Sequence, residues 1–383
     1  MRVTMLIRCL AMMRGGGETR HLAWIRELSQ LGVDVDVITG EPLLLGDARF
    51  PIVGVDATVL RSPYLRDWVY AFQNRRGFGR LTMNALHLDE EWFCRAAWRT
   101  IARRTEKPQI VHAHALYQAA RLRRGDAGVI LNFPGEPNPR YFQDIALADA
   151  LIADGWAAAE LPKRLGREVH SVPKGVDSEK FAPEGTNLRG ELGLHGKRVA
   201  LSVGRFVPIK NMALVVEAFA PVAAADPAAH LVLIGEGPEQ ANLQAQVAEL
   251  GLVSRVTFAG YVPQDQLGTY YRTADLFVLA SDFDNSPNVV LEAMSCAMPV
   301  VATRVGGVAE YVTPPGGELV GRGDAAGLAR AIGGWLSDEP RRRDAGAFNR
   351  DRIVREFSWR ASAQRLLSVY EMVLSNRQRA GAA

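Results

Sequence analysis

Short apolar runs that end at polar or glycine-rich segments recur along the chain. Runs of this kind lie at Val3–Leu10, Val129–Phe133, Val199–Val203 and Leu276–Ala280. Their length and the turn residues after them are typical of buried β-strands. Between such runs, segments like the one from His21 to Leu31 carry apolar residues at helical spacing and end at a glycine. Strands that alternate with helices predict parallel sheets, and therefore doubly wound α/β domains.

The chain of 383 residues is too long for one ordinary hydrophobic core, which predicts two domains. We place the boundary in the polar segment at Ser171–Ser178, so that the domains are residues 1–172 and 173–358. The apolar spacing within residues 359–383 predicts a last amphipathic helix, whose tail after Ser375 is expected to be frayed.

The segment from Asp275 to Gly307 predicts one complete strand–helix–strand unit. Its polar loop Ser281–Asn288 follows the first strand, at the edge where open α/β sheets bind ligands. Ser286 is expected to cap the helix, with Pro287 at the first helical position.

Two carboxylates flank this predicted helix start. Asp284 lies in the loop, and Glu292 lies inside the helix among apolar neighbours. Glu292 is either a solvated helix position or part of a binding site, and the apolar neighbours favour the site because a charge among them needs a hydrogen-bonding partner. The backbone N–H groups of Asn288, Val289 and Val290 would be free to point at an anion.

Two cations flank a second strand–helix turn. Arg205 and Lys210 follow the strand that ends at Val203. At such a turn two cations can neutralise a diphosphate, the arginine by its planar fork and the lysine as a point charge.

The first predicted domain carries glycines and histidines at its strand ends. Gly16 and Gly17 lie in a glycine-rich turn after the first strand, but the G-x-G-x-x-G dinucleotide fingerprint is absent, and a merely tight turn is the alternative. His112 and His114 close the strand Pro108–His114 at the edge expected to face a ligand.

The composition is that of an ordinary soluble globular protein, with 48% hydrophobic and 23% charged residues. The formal net charge of +3 is too small to indicate a nucleic-acid partner. Cys9, Cys94 and Cys296 have no metal-ligand spacing, and Cys9 and Cys296 are expected to be reduced core residues. Neither a membrane-spanning run nor a signal-peptide pattern is found, which predicts a cytoplasmic protein.

Residues 61–104 interleave basic and aromatic side chains, among them Trp68, Phe72 and Trp92. This mixture suits peripheral contact with the inner face of a membrane, or an acceptor that carries phosphate. A pair of amphipathic helices with aromatic residues in the core explains it equally well.

Four motifs together resemble the family 4 retaining glycosyltransferases, which have the GT-B fold. The matching positions are Asp284 and Glu292 for the E-x7-E motif, Arg205 and Lys210 for the G-R-x4-K diphosphate site, His112 and His114 for the H-x-H motif, and Gly16 and Gly17 for the glycine pair of the first turn. The resemblance implies two doubly wound (Rossmann-like) α/β domains facing a cleft. The first would be on the acceptor side, the second would bind the nucleotide sugar, and the terminal helix would pack back on the first.

The resemblance also implies an activity. A sugar would pass from a nucleoside-diphosphate sugar to a hydroxyl group of a glycan, a lipid-linked glycan or a small metabolite, with retention of anomeric configuration. The implied roles are diphosphate stabilisation for Arg205, Lys210 and the helix start at Asn288, Val289 and Val290; ribose binding for Glu292; sugar contacts for Asp284 and His114; close backbone approach to the donor at Gly16 and Gly17; and base binding at Val262. It implies neither a metal nor another cofactor, and no nucleic-acid partner.

The chain departs from the family pattern at several positions. Asp284 replaces the usual glutamate, Asn285-Ser286 replaces Gly-Phe, and Asn132–Asn138 replaces a segment with a histidine-glycine pair. The departure at Asp284-Asn285-Ser286 keeps open a non-catalytic glycosyltransferase-like partner. A nucleotide-sugar 2-epimerase on the same fold is a second alternative, which the Arg205/Lys210 pair and the H-x-H pattern disfavour because such enzymes lack them.

Asp34 and Asp36 spell D-x-D, the metal-binding signature of the other large glycosyltransferase fold. Both alternate with valines along one predicted strand, so we expect a solvated strand face rather than a metal site.

Overall fold

A computed structural model describes residues 1–10, 16–42, 55–62 and 79–382. The chain forms two compact units. The first comprises Met1–Pro173 together with Ser362–Ala383, and the second comprises Lys174–Ala361.

The first unit is built on a seven-stranded sheet in which the strand pairs are parallel. Its strands are β1 (Arg2–Leu6), β2 (Asp34–Pro42), β3 (Asp56–Ser62), β4 (Ile110–His114), β5 (Gly128–Phe133), β6 (Ala150–Ala153) and β7 (His170–Ser171). They lie in the order β3-β2-β1-β4-β5-β6-β7. Every residue of β5 and β6 is buried, as expected for strands covered on both faces.

Helices follow the strands of the first unit along the chain. They are α1 (Gly16–Gln30), α2 (Gly79–Ala102), α3 (Gln118–Arg121), α4 (Phe142–Ala146) and α5 (Gly155–Leu165), with a short 3₁₀ turn at Pro139–Tyr141. Strands and helices therefore alternate as the apolar pattern predicts.

The second unit has a six-stranded parallel sheet in the order β10-β9-β8-β11-β12-β13. Its strands are β8 (Arg198–Val203), β9 (Ala229–Ile234), β10 (Val256–Gly260), β11 (Leu276–Leu279), β12 (Val300–Thr303) and β13 (Gly317–Val320). Its helical segments are a 3₁₀ turn (Pro208–Lys210), α6 (Met212–Ala225), α7 (Gln240–Glu249), α8 (Leu267–Thr273), α9 (Asn288–Ser295), α10 (Val308–Tyr311), α11 (Ala325–Ser337), α12 (Glu339–Arg352) and a π-helical turn (Ile353–Phe357). Two doubly wound α/β units are thus confirmed.

The last helix, α13 (Trp359–Ala382), is anchored on the first unit from Ser362 onwards. Trp24 donates its indole hydrogen to Ser362 at 2.8 Å, and Arg377 pairs with Asp149 at 2.7 Å. After Ser375, where fraying is expected, α13 continues to Ala382 and Arg377 donates a hydrogen bond to the Asp126 carbonyl at 2.9 Å. The fraying of this tail stays a prediction.

The aromatic residues of the basic and aromatic segment 61–104 differ in how deeply they are buried. Phe93 and Trp98 on α2 are fully buried, whereas the side chain of Trp92 is 41% exposed. Residues 63–78, which include Trp68 and Phe72, lie outside the described residues. Within the described part, two of these aromatic residues belong to the core.

Both aspartates of the D-x-D sequence form ion pairs with arginines of the first unit. Asp34 pairs with Arg2 at 2.6 Å, while Asp36 accepts a hydrogen bond from Thr4 at 2.8 Å and pairs with Arg104 at 2.6 Å. The expectation of a solvated face is wrong for Asp36, which is buried. Its arginine partner lies far along the chain, so strand periodicity could not reveal it.

The three cysteines are buried and carry free thiols, which confirms the prediction for Cys9 and Cys296. Among the described residues, no helix combines the length and the apolar character needed to cross a membrane.

Candidate functional site

In both sheets the first three strands are added towards one edge, and the following strands are added on the other side of the first strand. The predicted site residues Lys210, Asp284 and His114 lie at or after the two central strands between which the order changes. In the second unit the reversal lies between β8 and β11, which are followed by the loops of Lys210 and Asp284. In the first unit it lies between β1 and β4, and His114 ends β4. Crevices outside the carboxyl ends of strands at such reversals are where open α/β sheets bind ligands.

Lys210 and Asp284 meet in the second unit. The Lys210 ammonium group forms an ion pair with the Asp284 carboxylate, and both side chains keep some exposure, 21% and 13%. Lys210 ends the 3₁₀ turn, and Asn211 after it has a φ of +48°, a backbone conformation that asparagine tolerates well. The sequence alone predicted both groups for a ligand but not their contact with each other.

Arg205 lies on the same loop as Lys210 with an exposed side chain. Within the described part of the chain, no carboxylate pairs with its guanidinium. Its positive charge is therefore available to an anion at the carboxyl end of β8.

The loop that carries Asp284 is held by backbone contacts. The Asp284 carbonyl accepts a hydrogen bond from the Gly307 N–H at 2.9 Å. Gly306 has a φ of +50°, and a Cβ atom there would lie 2.0 Å from the same carbonyl oxygen. Glycine at 306 therefore satisfies both the left-handed backbone and the close approach. On its other side, Asp282 donates its N–H to the Ile209 carbonyl at 2.8 Å, which ties this loop to the Lys210 turn.

The start of α9 differs from the expectation in two respects. Ser286 does not cap the helix, because its hydroxyl bonds the Tyr311 hydroxyl at 2.7 Å, and Pro287 precedes the helix rather than opening it. The N–H of Val290 donates to the Pro287 carbonyl at 3.2 Å, so it is not free for an anion. Of the three predicted donors, Asn288 and Val289 remain candidates.

Glu292 is buried on α9, with only 4% of its surface exposed. It accepts hydrogen bonds from the Tyr271 hydroxyl at 2.8 Å and from the Gln264 amide at 3.2 Å. Burial raises the pKa of Glu292, while these two hydrogen bonds act in the opposite direction. Glu292 therefore has the hydrogen-bonding partners that its apolar neighbours led us to expect, and these partners are the side chains of Tyr271 and Gln264.

Val262 follows β10, and its side chain is buried against the apolar core of the second unit. A role in binding a base would therefore fall to backbone groups of its loop. The neighbouring Tyr261 N–H donates to the Glu236 carboxylate at 3.3 Å.

In the first unit, His114 is oriented by a residue on the next strand. Its Nδ1–H donates to the Asn132 side-chain oxygen at 2.9 Å, and the two residues are register partners of β4 and β5. This tautomer makes Nε2 a hydrogen-bond acceptor. Ala115 follows with a φ of +51°, which is costly for alanine and turns the chain sharply after His114.

Gly16 and Gly17 belong to the first turn of α1 rather than to a turn before it, which corrects the expectation. A Cβ atom on Gly17 would lie 3.1 Å from the Nε2 atom of His114. The missing side chain of Gly17 therefore gives the imidazole its space. His21 donates Nδ1–H to the Gly17 carbonyl at 2.7 Å and lies 4.4 Å from His114 between ring centres.

His21 and His112 are both fully buried beside His114. Burial, together with the neighbouring histidines, lowers the pKa of His21 well below its usual value. Burial lowers the pKa of His112 to about 3. Both rings are therefore neutral at physiological pH, and the Nδ1 atom of His112 is hydrogen-bonded to the Tyr370 hydroxyl at 2.7 Å.

A pocket of about 340 Å³ opens beside His114 within the first unit. Its polar lining includes Arg8, Glu18 and Glu90. Its wall therefore holds one guanidinium and two carboxylates, and Arg8 also pairs with the buried Asp89 behind the wall at 2.9 Å. Such a lining offers several acceptors and donors to a ligand rich in hydroxyl groups.

Three residues that form hydrogen bonds to His114 or Glu292 were not predicted from the sequence. They are Asn132, Tyr271 and Gln264. Asn132 could have been found, because it ends the strand after His114 and parallel neighbours place their carboxyl ends together. Tyr271 and Gln264 come from the loop and helix before β11, and no local pattern connects them to Glu292. Among the described residues, no three His, Cys, Asp or Glu side chains are grouped like metal ligands.

Comparisons with known families place both units in one group of proteins. The family described as "Glycosyl transferases group 1" matches residues 186–352, and the family described as "Glycosyltransferase Family 4" matches residues 14–180. The chain is 29% identical to D-inositol 3-phosphate glycosyltransferase of Acidothermus cellulolyticus, over 95% of this chain and 87% of that protein.

A second relative is the GDP-mannose-dependent alpha-(1-6)-phosphatidylinositol monomannoside mannosyltransferase of Mycolicibacterium smegmatis. It is 30% identical over 55% of this chain, which spans about half (56%) of that protein. Among solved structures, Anabaena Alr3699/HepE in complex with UDP superposes with a TM-score of 0.74 at 19% identity, over 97% of this chain and all of that one (100%). This likeness confirms the GT-B fold.

Proposed function

Because the chain belongs to the glycosyl transferases of group 1 and family 4, we propose that it transfers a sugar from a nucleoside-diphosphate sugar to a hydroxyl group, with retention of anomeric configuration. The observation that carries the proposal is the meeting of Lys210 and Asp284 beside the exposed Arg205. These groups supply two cations for a diphosphate and one carboxylate for a sugar at a single edge of the sheet.

The proposed chemistry breaks the bond between the sugar C1 atom and the diphosphate oxygen. The bonding electrons leave with the phosphate, and Arg205 and Lys210 stabilise its growing negative charge. The acceptor oxygen attacks C1 from the same face, and its proton passes to the departing phosphate oxygen. Retention follows because the new bond forms on the face that the phosphate leaves.

Lys210 must change partners during this cycle. In the structure its charge is matched by Asp284. A bound diphosphate would take over the ammonium group, which releases the Asp284 carboxylate to accept hydrogen bonds from sugar hydroxyl groups. The ion pair therefore holds both side chains in position before the donor arrives.

The acceptor is assigned to the pocket beside His114. Its carboxylate and guanidinium lining suits a polyhydroxylated compound, and the Nε2 acceptor of His114 can bind a hydroxyl group. The two relatives described above act, by their names, on D-inositol 3-phosphate and on a phosphatidylinositol mannoside. These compounds are the first acceptors to test.

The test combines UDP- and GDP-sugars with these acceptors and reads the anomeric configuration of the product by NMR. The proposal expects a product with the configuration of the donor. An inverted product contradicts retention. Epimerisation of the donor alone would identify a nucleotide-sugar epimerase, and a donor that binds without any turnover would identify a non-catalytic relative.

We further propose that no metal or other cofactor takes part, since Arg205 and Lys210 supply the charge that a divalent ion would bring to the diphosphate. Transfer is expected to continue in excess EDTA. Loss of transfer on chelation, with recovery on adding Mn²⁺, would overturn this part of the proposal.

A further inference from the structure

A pocket of about 470 Å³ lies at the other edge of the second unit's sheet. Arg198 at its wall begins β8, while Asp275 and Pro299 immediately precede β11 and β12. Because the strands are parallel, this is the amino edge, opposite the one from which the loops of Lys210 and Asp284 extend. We call it the basal pocket, and its volume is within the range of small-ligand sites.

Positive charge dominates the lining of the basal pocket. Its cations are Arg189, Lys197, Arg198, Arg272, Arg342 and Arg343, and its carboxylates are Asp275 and Glu339. Two of the cations are neutralised by neighbours. Arg189 pairs with Asp275 at 2.7 Å, and Arg198 donates to Asp226 at 2.6 Å.

Arg272 and Arg342 are fixed in place without being neutralised. Arg272 donates Nε–H to the Thr186 carbonyl at 2.8 Å, and Arg342 donates to the Trp335 carbonyl at 2.8 Å. A carbonyl group orients a guanidinium but carries no net charge to balance it. Gly268 gives Arg272 its space, since a Cβ atom there would lie 3.0 Å from the guanidinium.

Lys197 and Arg343 add two further positive charges. The Lys197 ammonium group approaches the Pro227 carbonyl at 3.4 Å, and the Arg343 side chain is exposed. Among the described residues no carboxylate forms an ion pair with either side chain. Four cations around one pocket thus lack a carboxylate partner, and their mutual repulsion decreases when an anion binds between them.

We propose that the basal pocket binds a compact anion carrying two or more phosphate groups. Arginine presents a planar fork that fits phosphate oxygens in a bidentate manner, and two of the unneutralised arginines are already held in one orientation. Preorganised donors reduce the entropy cost of binding. The proposal does not depend on the sugar-transfer activity, because the pocket shares no residue with the loops of Arg205, Lys210 and Asp284.

The test is calorimetric titration of the full chain with sodium tripolyphosphate at low ionic strength. The chain carries Arg205→Ala and Lys210→Ala, so that binding at the donor loops does not contribute. In this background the pocket variant Arg343→Glu is compared with Arg330→Glu, which makes the same charge change at an exposed residue of α11 outside the pocket.

Arg343→Glu is expected to weaken tripolyphosphate binding by at least about tenfold, because a charge that attracts the anion is replaced by one that repels it. Arg330→Glu is expected to leave the affinity within about twofold, since salt and distance screen its charge. Equal losses in both variants, or no binding in the parent chain, would overturn the proposal.

A flotation assay with vesicles that contain cardiolipin, a lipid whose headgroup carries two phosphate groups, separates the two sources of such an anion. Flotation that Arg343→Glu abolishes and Arg330→Glu preserves assigns lipid headgroups to the pocket. Tripolyphosphate binding without flotation assigns it a soluble phosphorylated compound. A wrong assignment of the donor site would leave both results unchanged, so the two proposals fail independently.

Discussion

At the scale of single residues, the contact between Lys210 and Asp284 is the most informative feature of the second unit. Asp284 is one methylene shorter than the glutamate that the family pattern has at this position, yet its carboxylate reaches the ammonium group. The short side chain is therefore compatible with an ordered site. The contact also means that removing one partner changes the charge seen by the other.

Asp284→Asn is expected to lower the turnover of donor by a factor on the order of 10²–10³, because a charged partner of the transferred sugar is lost. The affinity for nucleoside diphosphate should not fall, since Lys210 loses a competitor for the phosphate. Steady-state kinetics and calorimetry measure the two effects separately. Asp226→Asn is the matched control, as it removes another ion-paired carboxylate of the same unit. Unchanged turnover in Asp284→Asn would leave this carboxylate without a role.

Residue patterns predicted which side chains lie at the strand ends of the candidate site, but not the contacts between them. The need of Glu292 for hydrogen-bonding partners followed from its apolar neighbours, but Tyr271 and Gln264 could not be named. Ser286 is a preferred residue type for a helix cap and is followed by a proline, yet its hydroxyl bonds Tyr311, which lies 25 residues further along the chain. Distant partners of this kind decide which local preference is realised.

Among the secondary-structure elements, the loop between β11 and α9 is held in position by the loop that follows β12. Gly306 allows its chain to contact the carbonyl of Asp284, so the position of the carboxylate depends on a glycine far from it in sequence. The strand–loop–helix order was predictable to within about two residues at each end, because apolar runs and turn residues are local signals. The contact between Gly306 and Asp284 was not predictable, because it depends on which loops lie next to each other in the folded structure.

Gly306→Ala is expected to reduce donor turnover, since the new Cβ atom must displace the Asp284 backbone. Gly323→Ala serves as the control, because Gly323 also has a positive φ, +73°, but open space around it. Both variants should lose about 1–2 kcal/mol of unfolding free energy from the left-handed backbone. Donor turnover and urea unfolding distinguish them, and equal turnover in the two variants would show that the contact with Asp284 does not position the site.

At the scale of the whole molecule, the two units repeat one design. In each of them the chain crosses to the other half of the sheet after the third strand, and polar residues collect where this reversal occurs. The alternation of strand and helix patterns in the sequence predicted both sheets. The anchoring of α13 on the first unit was implied only by the family resemblance, because it depends on contacts such as that between Ser362 and Trp24.

Acid is expected to destabilise the first unit through its buried histidines. The pKa of His112 is lowered to about 3 in the folded chain, against an ordinary value near 6.5 when unfolded, and the pKa of His21 is also lowered. The unfolded chain therefore binds more protons below pH 6.5. For each histidine, stability is fully present above that pH and falls by up to about 1.4 kcal/mol per pH unit below it.

Urea unfolding followed by tryptophan fluorescence at several pH values measures this loss. His112→Asn should flatten the decline of stability between pH 6.5 and 4, whereas the control His195→Asn, at an exposed position, should not. An equally steep decline in His112→Asn and the parent chain would mean that His112 does not contribute to the pH dependence.

The proposed sugar transfer requires that the Lys210 loop binds the diphosphate of a nucleotide sugar. Calorimetric titration of Lys210→Ala with UDP and GDP tests this most directly, with Lys163→Ala as the control for losing an ion-paired lysine elsewhere. We expect the nucleotide that binds the parent chain to bind Lys210→Ala about 10- to 100-fold more weakly, the value of a charged hydrogen bond. Lys163→Ala should bind it like the parent. Undiminished binding by Lys210→Ala would show that the diphosphate does not bind at the Lys210 loop.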